Sequence, residues 1–212
     1  MKRSILIPIS DSDDKEEHDL NIFALSECPI ESAQWLCDKH IPKLIVECFQ
    51  MLGSAQRRHG AKDAEMPLTS KGTPLKGGYH HHPATRWAGD TRENYWWLVQ
   101  HAMQLLYEYQ FRFRKKHACT KGIIHLALMQ DRIPEGDMTT FAQCMPDEWK
   151  HKHPVIAYRN YYAVEKAHFA KWEKGRDAPN WFLRRRERIP AEGTDWLKHV
   201  QYAPRNPALC AY

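Results

Sequence analysis

The chain, 212 residues long, has no apolar run able to cross a bilayer. Ile5 to Ile9 is too short, and too soon followed by acids, to be a secretory leader. A soluble, cytosolic protein without a membrane partner is therefore expected. The cysteines, Cys28, Cys37, Cys48, Cys119, Cys144 and Cys210, lack the paired short spacings of zinc knuckles and redox motifs. They read as reduced and mostly buried thiols. Internal repeats and low-complexity tracts are absent as well, which argues against a solenoid. What is present suffices for a sizeable core: 42% of residues are hydrophobic, consistent with one domain and its appendages.

Charge is unevenly spread. Residues 1 to 60 carry a net −3 and the remainder +8, so the basic part is the expected nucleic-acid face. Arg112, Arg114, Lys115 and Lys116 close one predicted helix, where cations also suit the dipole. A solvated helix end explains that run equally well. Arg184, Arg185 and Arg186 follow Trp181 and Phe182, and guanidiniums interleaved with aromatics supply both phosphate contacts and base stacking.

The densest chemistry lies in Tyr79 to Trp87, where His80, His81 and His82 precede Pro83, Arg86 and Trp87 at the mouth of a helix. Asp90 and Glu93 read as an N-cap and its return partner for a helix running to Lys116. Along it Tyr95, Val99, Ala102, Leu106 and Tyr109 form a packing face. Trp97, His101, Gln104, Glu108 and Arg112 line another, open to chemistry. Between Ser32 and Arg58 a second apolar stripe (Ala33, Leu36, Leu44, Cys48, Leu52, Ala55) opposes His40, Lys43, Glu47, Gln50 and Ser54. Pro42 divides that stretch, and two helices with Pro42 in the first turn of the second are expected. Glu47 facing His101 and Glu108 would make an acid–base centre, because clustered titratable groups push one another's pKa values apart.

Elsewhere, residues 2 to 10 read as a short strand and Asp11 to Asp19 as an acidic, mobile connector. The loop Gly60 to Gly78 is long enough to be either disordered or functional, and it leads into the histidine turn, where it could close over substrate. Gly122 to Leu128 is ambiguous between strand and helix, and Pro134 to Met138 is a turn. Pro154 opens a helix to about Lys174, stopped by Gly175, with Val155, Tyr158, Tyr162, Phe169 and Trp172 as its packing stripe. Packing does not account for Arg159 and Lys166, which suit a phosphate or diphosphate. His82-Pro83 and His153-Pro154 each set an imidazole just before a helix. His80, His81, His82, His151 and His153 could ligate zinc or iron. Adjacent histidines on an extended backbone diverge, however, and no spaced carboxylate completes a triad, so no metal is expected. His40 and His101, each on an otherwise apolar helix, are individually well explained as core histidines bonded to a carbonyl.

Leu36-Cys37-Asp38-Lys39-His40, Glu47 seven residues on, the histidine-proline turn with Trp87, and Tyr95, His101 and Glu108 along the next helix resemble the phage endonuclease V type of pyrimidine-dimer DNA glycosylase. The likeness covers about residues 25 to 117. The whole chain is also similar to phage-encoded relatives of that fold, through Cys28-Pro29-Ile30-Glu31-Ser32, Phe141-Ala142-Gln143, Pro146-Asp147-Glu148 and Ala157-Tyr158-Arg159. Such relatives occur beside genes for DNA base hypermodification, where amino acids are transferred onto activated hydroxymethylpyrimidines.

The resemblance implies a mainly α, compact single-domain helical bundle at residues 25–190, with an N-terminal extension (1–24) and a C-terminal tail (191–212). It implies an enzyme that acts in an infected bacterial cell, binds double-stranded DNA and flips a pyrimidine. The family's chemistry pairs a chain-terminal amine with a glutamate. Glu47 matches the glutamate, whereas Lys2 keeps the initiator Met in place and the amine's position, near Ser26, lies inside the chain. The leading expectation is thus transfer of an amine or amino acid to an activated 5-hydroxymethylpyrimidine, with no cofactor beyond that co-substrate. A glycosylase is the first alternative and a non-catalytic DNA-binding protein the second. The expected catalytic set is Glu47, His40, His101 and His82. Lys43, His81, Arg86, Trp87, Tyr95, Glu108, Tyr158, Arg159, Tyr162 and Lys166 are expected to hold substrate. Arg112, Arg114, Lys115, Arg184, Arg185 and Arg186 are expected to hold DNA.

Overall fold

The structure, a computed structural model, describes residues 21–188, and their side chains as far as Arg184. The expected strand over 2–10, the acidic connector and the tail after 190 lie outside the described residues. Within them the protein is mainly helical, and its only strand-like pairing is an isolated bridge between Leu68 and Pro74.

Seven helices follow in chain order: α1 (Pro29–Gln34), α2 (His40–Arg58), α3 (Pro83–Ala88), α4 (Arg92–Phe113), α5 (Thr120–Ala127), α6 (Pro154–Glu165) and α7 (Asn180–Arg188). Pro42 falls in the first turn of α2 and Pro29 opens α1, so the two-helix reading of this stretch holds; a proline without an N–H is tolerated only there. The ambiguous Gly122 to Leu128 is helical, lying in α5 with Leu128 as its C-cap. Gly122 sits against Phe49, and a Cβ there would come within 2.4 Å of that ring.

α4 is the central helix, packed by α1, α2, α3 and α5. Its start differs from expectation: Thr91, not Asp90, is the N-cap, its hydroxyl accepting from Asn94 N–H at 3.1 Å. Its chemical face differs too. Trp97, His101, Glu108 and Arg112 are buried along with Tyr95, Leu98, Val99 and Ala102. α1 covers that second face, and Arg176 reaches it from the segment after α6. Periodicity alone cannot reveal a helix enclosed on both sides.

α6 ends at Glu165, short of the expected Lys174, with Lys166 as its C-cap. The following segment folds back along α1 instead: Asp38 N–H donates to Lys171 O, Asp38 Oδ2 accepts from Glu173 N–H and Trp172 Nε1 donates to Trp35 O. α7 then seats Trp181 and Phe182 against Trp35, Tyr162 and Trp172. Cys37, Cys48, Cys119 and Cys144 are free thiols, whereas Cys28 is disulfide-bonded, which corrects the expectation of six reduced cysteines.

Candidate active site

The polar face of α2 organises the site. Glu47 is 5% exposed, held by the turns above and below it on a helix whose opposite side is core. One carboxylate oxygen, Oε2, accepts from the backbone N–H of Asn21 at 3.2 Å, while Oε1 faces Lys43 Nζ at 3.5 Å. Asn21 is itself fixed: its side chain donates to Cys144 O at 2.8 Å and accepts from Phe23 N–H at 2.9 Å. A peptide N–H therefore lies against the carboxylate at a set position.

Two turns toward the start of α2, His40 Nδ1 is 2.7 Å from the Tyr162 hydroxyl, which also accepts from Cys37 N–H. The imidazole stacks on Phe23 at 4.9 Å and meets Phe169 edge-on at 5.2 Å. Burial, then the nearby charges of Lys43, Lys166 and Lys39, hold its pKa down to about 3, so it is neutral at physiological pH. Phe23 adopts a left-handed backbone, φ +41°, which turns its ring onto His40.

The loop from Gly60 to Gly78 is pinned along the same face of α2. Leu75 O accepts from both Nε and an NH of Arg57, and Ser54 Oγ bonds both the N–H and the carbonyl of Gly78. Gly77 permits this approach, since its φ is +88° and a Cβ would lie 2.3 Å from Ser54 Oγ. The loop thereby delivers the histidine turn. Buried His82 is the N-cap of α3, its Nδ1 accepting from Ala84 N–H. His153 likewise occupies the N-cap position of α6. His81 and Arg86 point outward and, with Trp87, Thr139 and Thr140, line an open cleft of about 430 Å³.

Several expected site residues are instead committed to the interior. Glu108 does not face Glu47: its two oxygens accept from Gln104, Arg112 and Arg176. Arg112, expected on DNA, has a fully buried guanidinium bonded to Glu108, Asp38 and the carbonyls of Gln34 and Leu36. Arg159 is clamped to Leu25 O at 2.7 Å beneath Trp35 and Trp181. The hydroxyl of Tyr95 donates to Leu126 O, and that of Tyr158 to Ala142 O. Burial pushes the pKa values of Tyr95, Tyr158 and Tyr162 up. His101 bonds Pro29 O and stacks on Trp97, and burial lowers its pKa to about 4. These side chains build the walls and do not line the opening. Lys43, Arg114, Lys115 and Arg184 are exposed, and Lys166 partly so; the side chains of Arg185 and Arg186 lie outside the described residues. No grouping of three or more His, Cys, Asp or Glu side chains able to hold a metal occurs among the described residues.

Asn21, Phe23, Tyr161 and Phe169 were not foreseen at the site. The position opposite Glu47 was placed near Ser26 by counting along the chain. Ser26 instead bonds Glu31, because the chain winds through α1 before reaching α2.

Residues 20–121 match the family of pyrimidine dimer DNA glycosylases. That match makes the segment endonuclease V-like. The match starts one residue before Asn21 and contains α1 to α4 with Glu47, so the glutamate and its N–H partner both lie inside it. It identifies a glycosylase-like, DNA-acting protein. No curated protein and no solved structure gives a significant match. Among the described residues, no helix is long and apolar enough to cross a membrane.

Proposed function

We propose that the protein is a DNA base-modifying enzyme that takes a flipped pyrimidine of double-stranded DNA to Glu47 and there directs an external nucleophile onto it. One observation carries the reading: the peptide N–H of Asn21, a nitrogen without a free lone pair, donates to Glu47 Oε2. An amide nitrogen delocalises its lone pair into the carbonyl and does not attack. Where the family resemblance implies a chain-terminal amine, Asn21 presents Glu47 Oε2 with an amide N–H, a hydrogen-bond donor, and in this reading the nucleophile comes from solution.

With an amine or amino acid as co-substrate, its nitrogen attacks the 5-methylene carbon of an activated hydroxymethylpyrimidine, the activating phosphate or diphosphate leaves, and Glu47 takes the proton released from nitrogen. Lys43 and Gln50 flank that carboxylate, one turn to either side on α2. Exposed Arg114, Lys115 and Arg184 supply the duplex-facing charge. In this reading the enzyme works in the cytoplasm of an infected bacterial host. The family match favours a second reading, in which Glu47 takes a proton from water, water adds at the sugar C1′ and the C1′–N bond breaks to release the base.

Digestion of treated DNA to nucleosides, followed by mass spectrometry, separates the two. Substrates carry hydroxymethyluracil or its diphosphate, with candidate amino acids added. A mass gain on the base supports transfer, and free base supports the glycosylase. Glu47→Gln keeps shape but removes basicity, and turnover falls by about a hundred- to ten-thousandfold in either case. Wild-type turnover in Glu47→Gln, or a borohydride-trapped DNA adduct at the chain's α-amine, overturns the proposal.

A further inference from the structure

We infer that Lys39, Lys43 and Lys166 form a phosphate-binding patch at the rim of the Glu47 site, completed by the part of the chain beyond the family match; this rests on the DNA-acting reading above. Lys39 is the N-cap residue of α2 and Lys43 lies in its first turn, which itself holds no acidic residue. Lys166 caps the far end of α6. A chain of rings joins these elements: Phe169 lies 5.2 Å from His40, His40 4.9 Å from Phe23 and Phe23 6.4 Å from Tyr161. Lys39 Nζ lies 4.4 Å over the Phe169 ring and Lys166 Nζ 5.0 Å over Tyr161.

Burial first, and after it the charges of Lys43, Lys166 and Lys39, keep the His40 imidazole uncharged. Only Lys43 has a carboxylate beside it, Glu47 at 3.5 Å, and neither Lys39 nor Lys166 forms an ion pair among the described residues. Aromatic faces hold the two unpaired cations in place, so the lysines cannot simply diverge to relieve their repulsion. Concentrated positive charge beside a solvent-open aromatic, here part-exposed Tyr161, is the arrangement that tracks a nucleic-acid backbone. The occupant is a phosphate, and we assign it to the phosphodiester next to the flipped nucleotide. Tyr161, Lys166 and Phe169 all fall outside residues 20–121, so the C-terminal part adds recognition surface to the matched domain.

The test compares full-length protein with the Lys39→Gln/Lys166→Gln double variant, using Lys71→Gln in the exposed loop as control. Anisotropy of a labelled duplex is followed against salt, and calorimetric titration with inorganic pyrophosphate forms a second arm. Two lost phosphate contacts make the slope of log affinity against log salt shallower by about 1.8, with an unchanged melting temperature and no change in the control. An unchanged DNA slope with loss of pyrophosphate binding supports the patch but moves its source to a diphosphate. Wild-type DNA slope and pyrophosphate binding in the double variant overturn the patch while leaving the DNA-acting reading standing. Absence of salt-dependent DNA binding in the wild-type protein overturns that reading, and the patch with it unless pyrophosphate binds the wild type and not the variant.

Discussion

Replacing Glu108 by Gln distinguishes a chemical role from an architectural one. The carboxylate is fully buried and accepts from Gln104, from Arg112 Nε at 2.9 Å and from Arg176 at 2.6 and 3.0 Å. The amide removes the negative charge and turns an NH2 toward guanidinium donors. Arg112, whose side chain has no exposure, is left with Asp38 at 3.1 Å and two carbonyls. Breaking a buried pair from one side costs about 3–5 kcal/mol. Asp38 still balances part of the charge and Arg176 can hydrate, so about 3 kcal/mol is expected. For a chain of this size that is a fall in melting temperature of roughly 6–12 °C. Thermal unfolding followed by circular dichroism measures it. Changing both partners, in Glu108→Gln/Arg112→Met, strands no charge and recovers much of the loss. If Glu108→Gln melts within about 2 °C of wild type while turnover collapses, the network is not structural and Glu108 belongs to the chemistry.

The other predictions concern acid, a turn and the central carboxylate. Folded pKa values near 3 for His40 and 4 for His101 lie below the unfolded value, so unfolded chains bind more protons on acidification. Stability is complete above about pH 6.5 and is lost as pH falls, by about 2 kcal/mol per histidine at pH 5; denaturant midpoints that coincide at pH 7 and pH 5 refute this. Gly77→Ala must adopt φ +88° with its methyl against Ser54. It costs about 1–2 kcal/mol for the left-handed backbone and about 1–3 kcal/mol for overpacking, with turnover falling as the histidine turn shifts; an unchanged melting temperature excludes the pinned loop. Glu47→Gln should melt within a few degrees of wild type, since the Asn21 N–H can still find an oxygen, so its loss of turnover should reflect chemistry alone.

Local features of the chain were enough for several elements. Pro42 and Pro29 lack an N–H and could only open helices, so the division between α1 and α2 followed from covalent chemistry. The stripe of Tyr95, Val99, Ala102 and Leu106 marked the buried side of α4 because residues three and four apart share a face. His40 and Glu47, seven positions apart, were bound to lie on one side of α2, and the family resemblance rested on that spacing.

Tertiary contacts decided the rest. Whether Glu108 and Arg112 face a pocket or the interior depends on Arg176, far along the chain, folding back to meet them. Arg159 and Tyr158 looked like ligands until the extended segments carrying Leu25 O and Ala142 O met them. The partner of Glu47 was misplaced because counting residues assumes a uniform path, and α1 takes up chain between Asn21 and α2. Spacing within one helix is set by the backbone and can be read from sequence. Proximity between segments depends on which buried polar group finds its acceptor, and only the packed fold determines that.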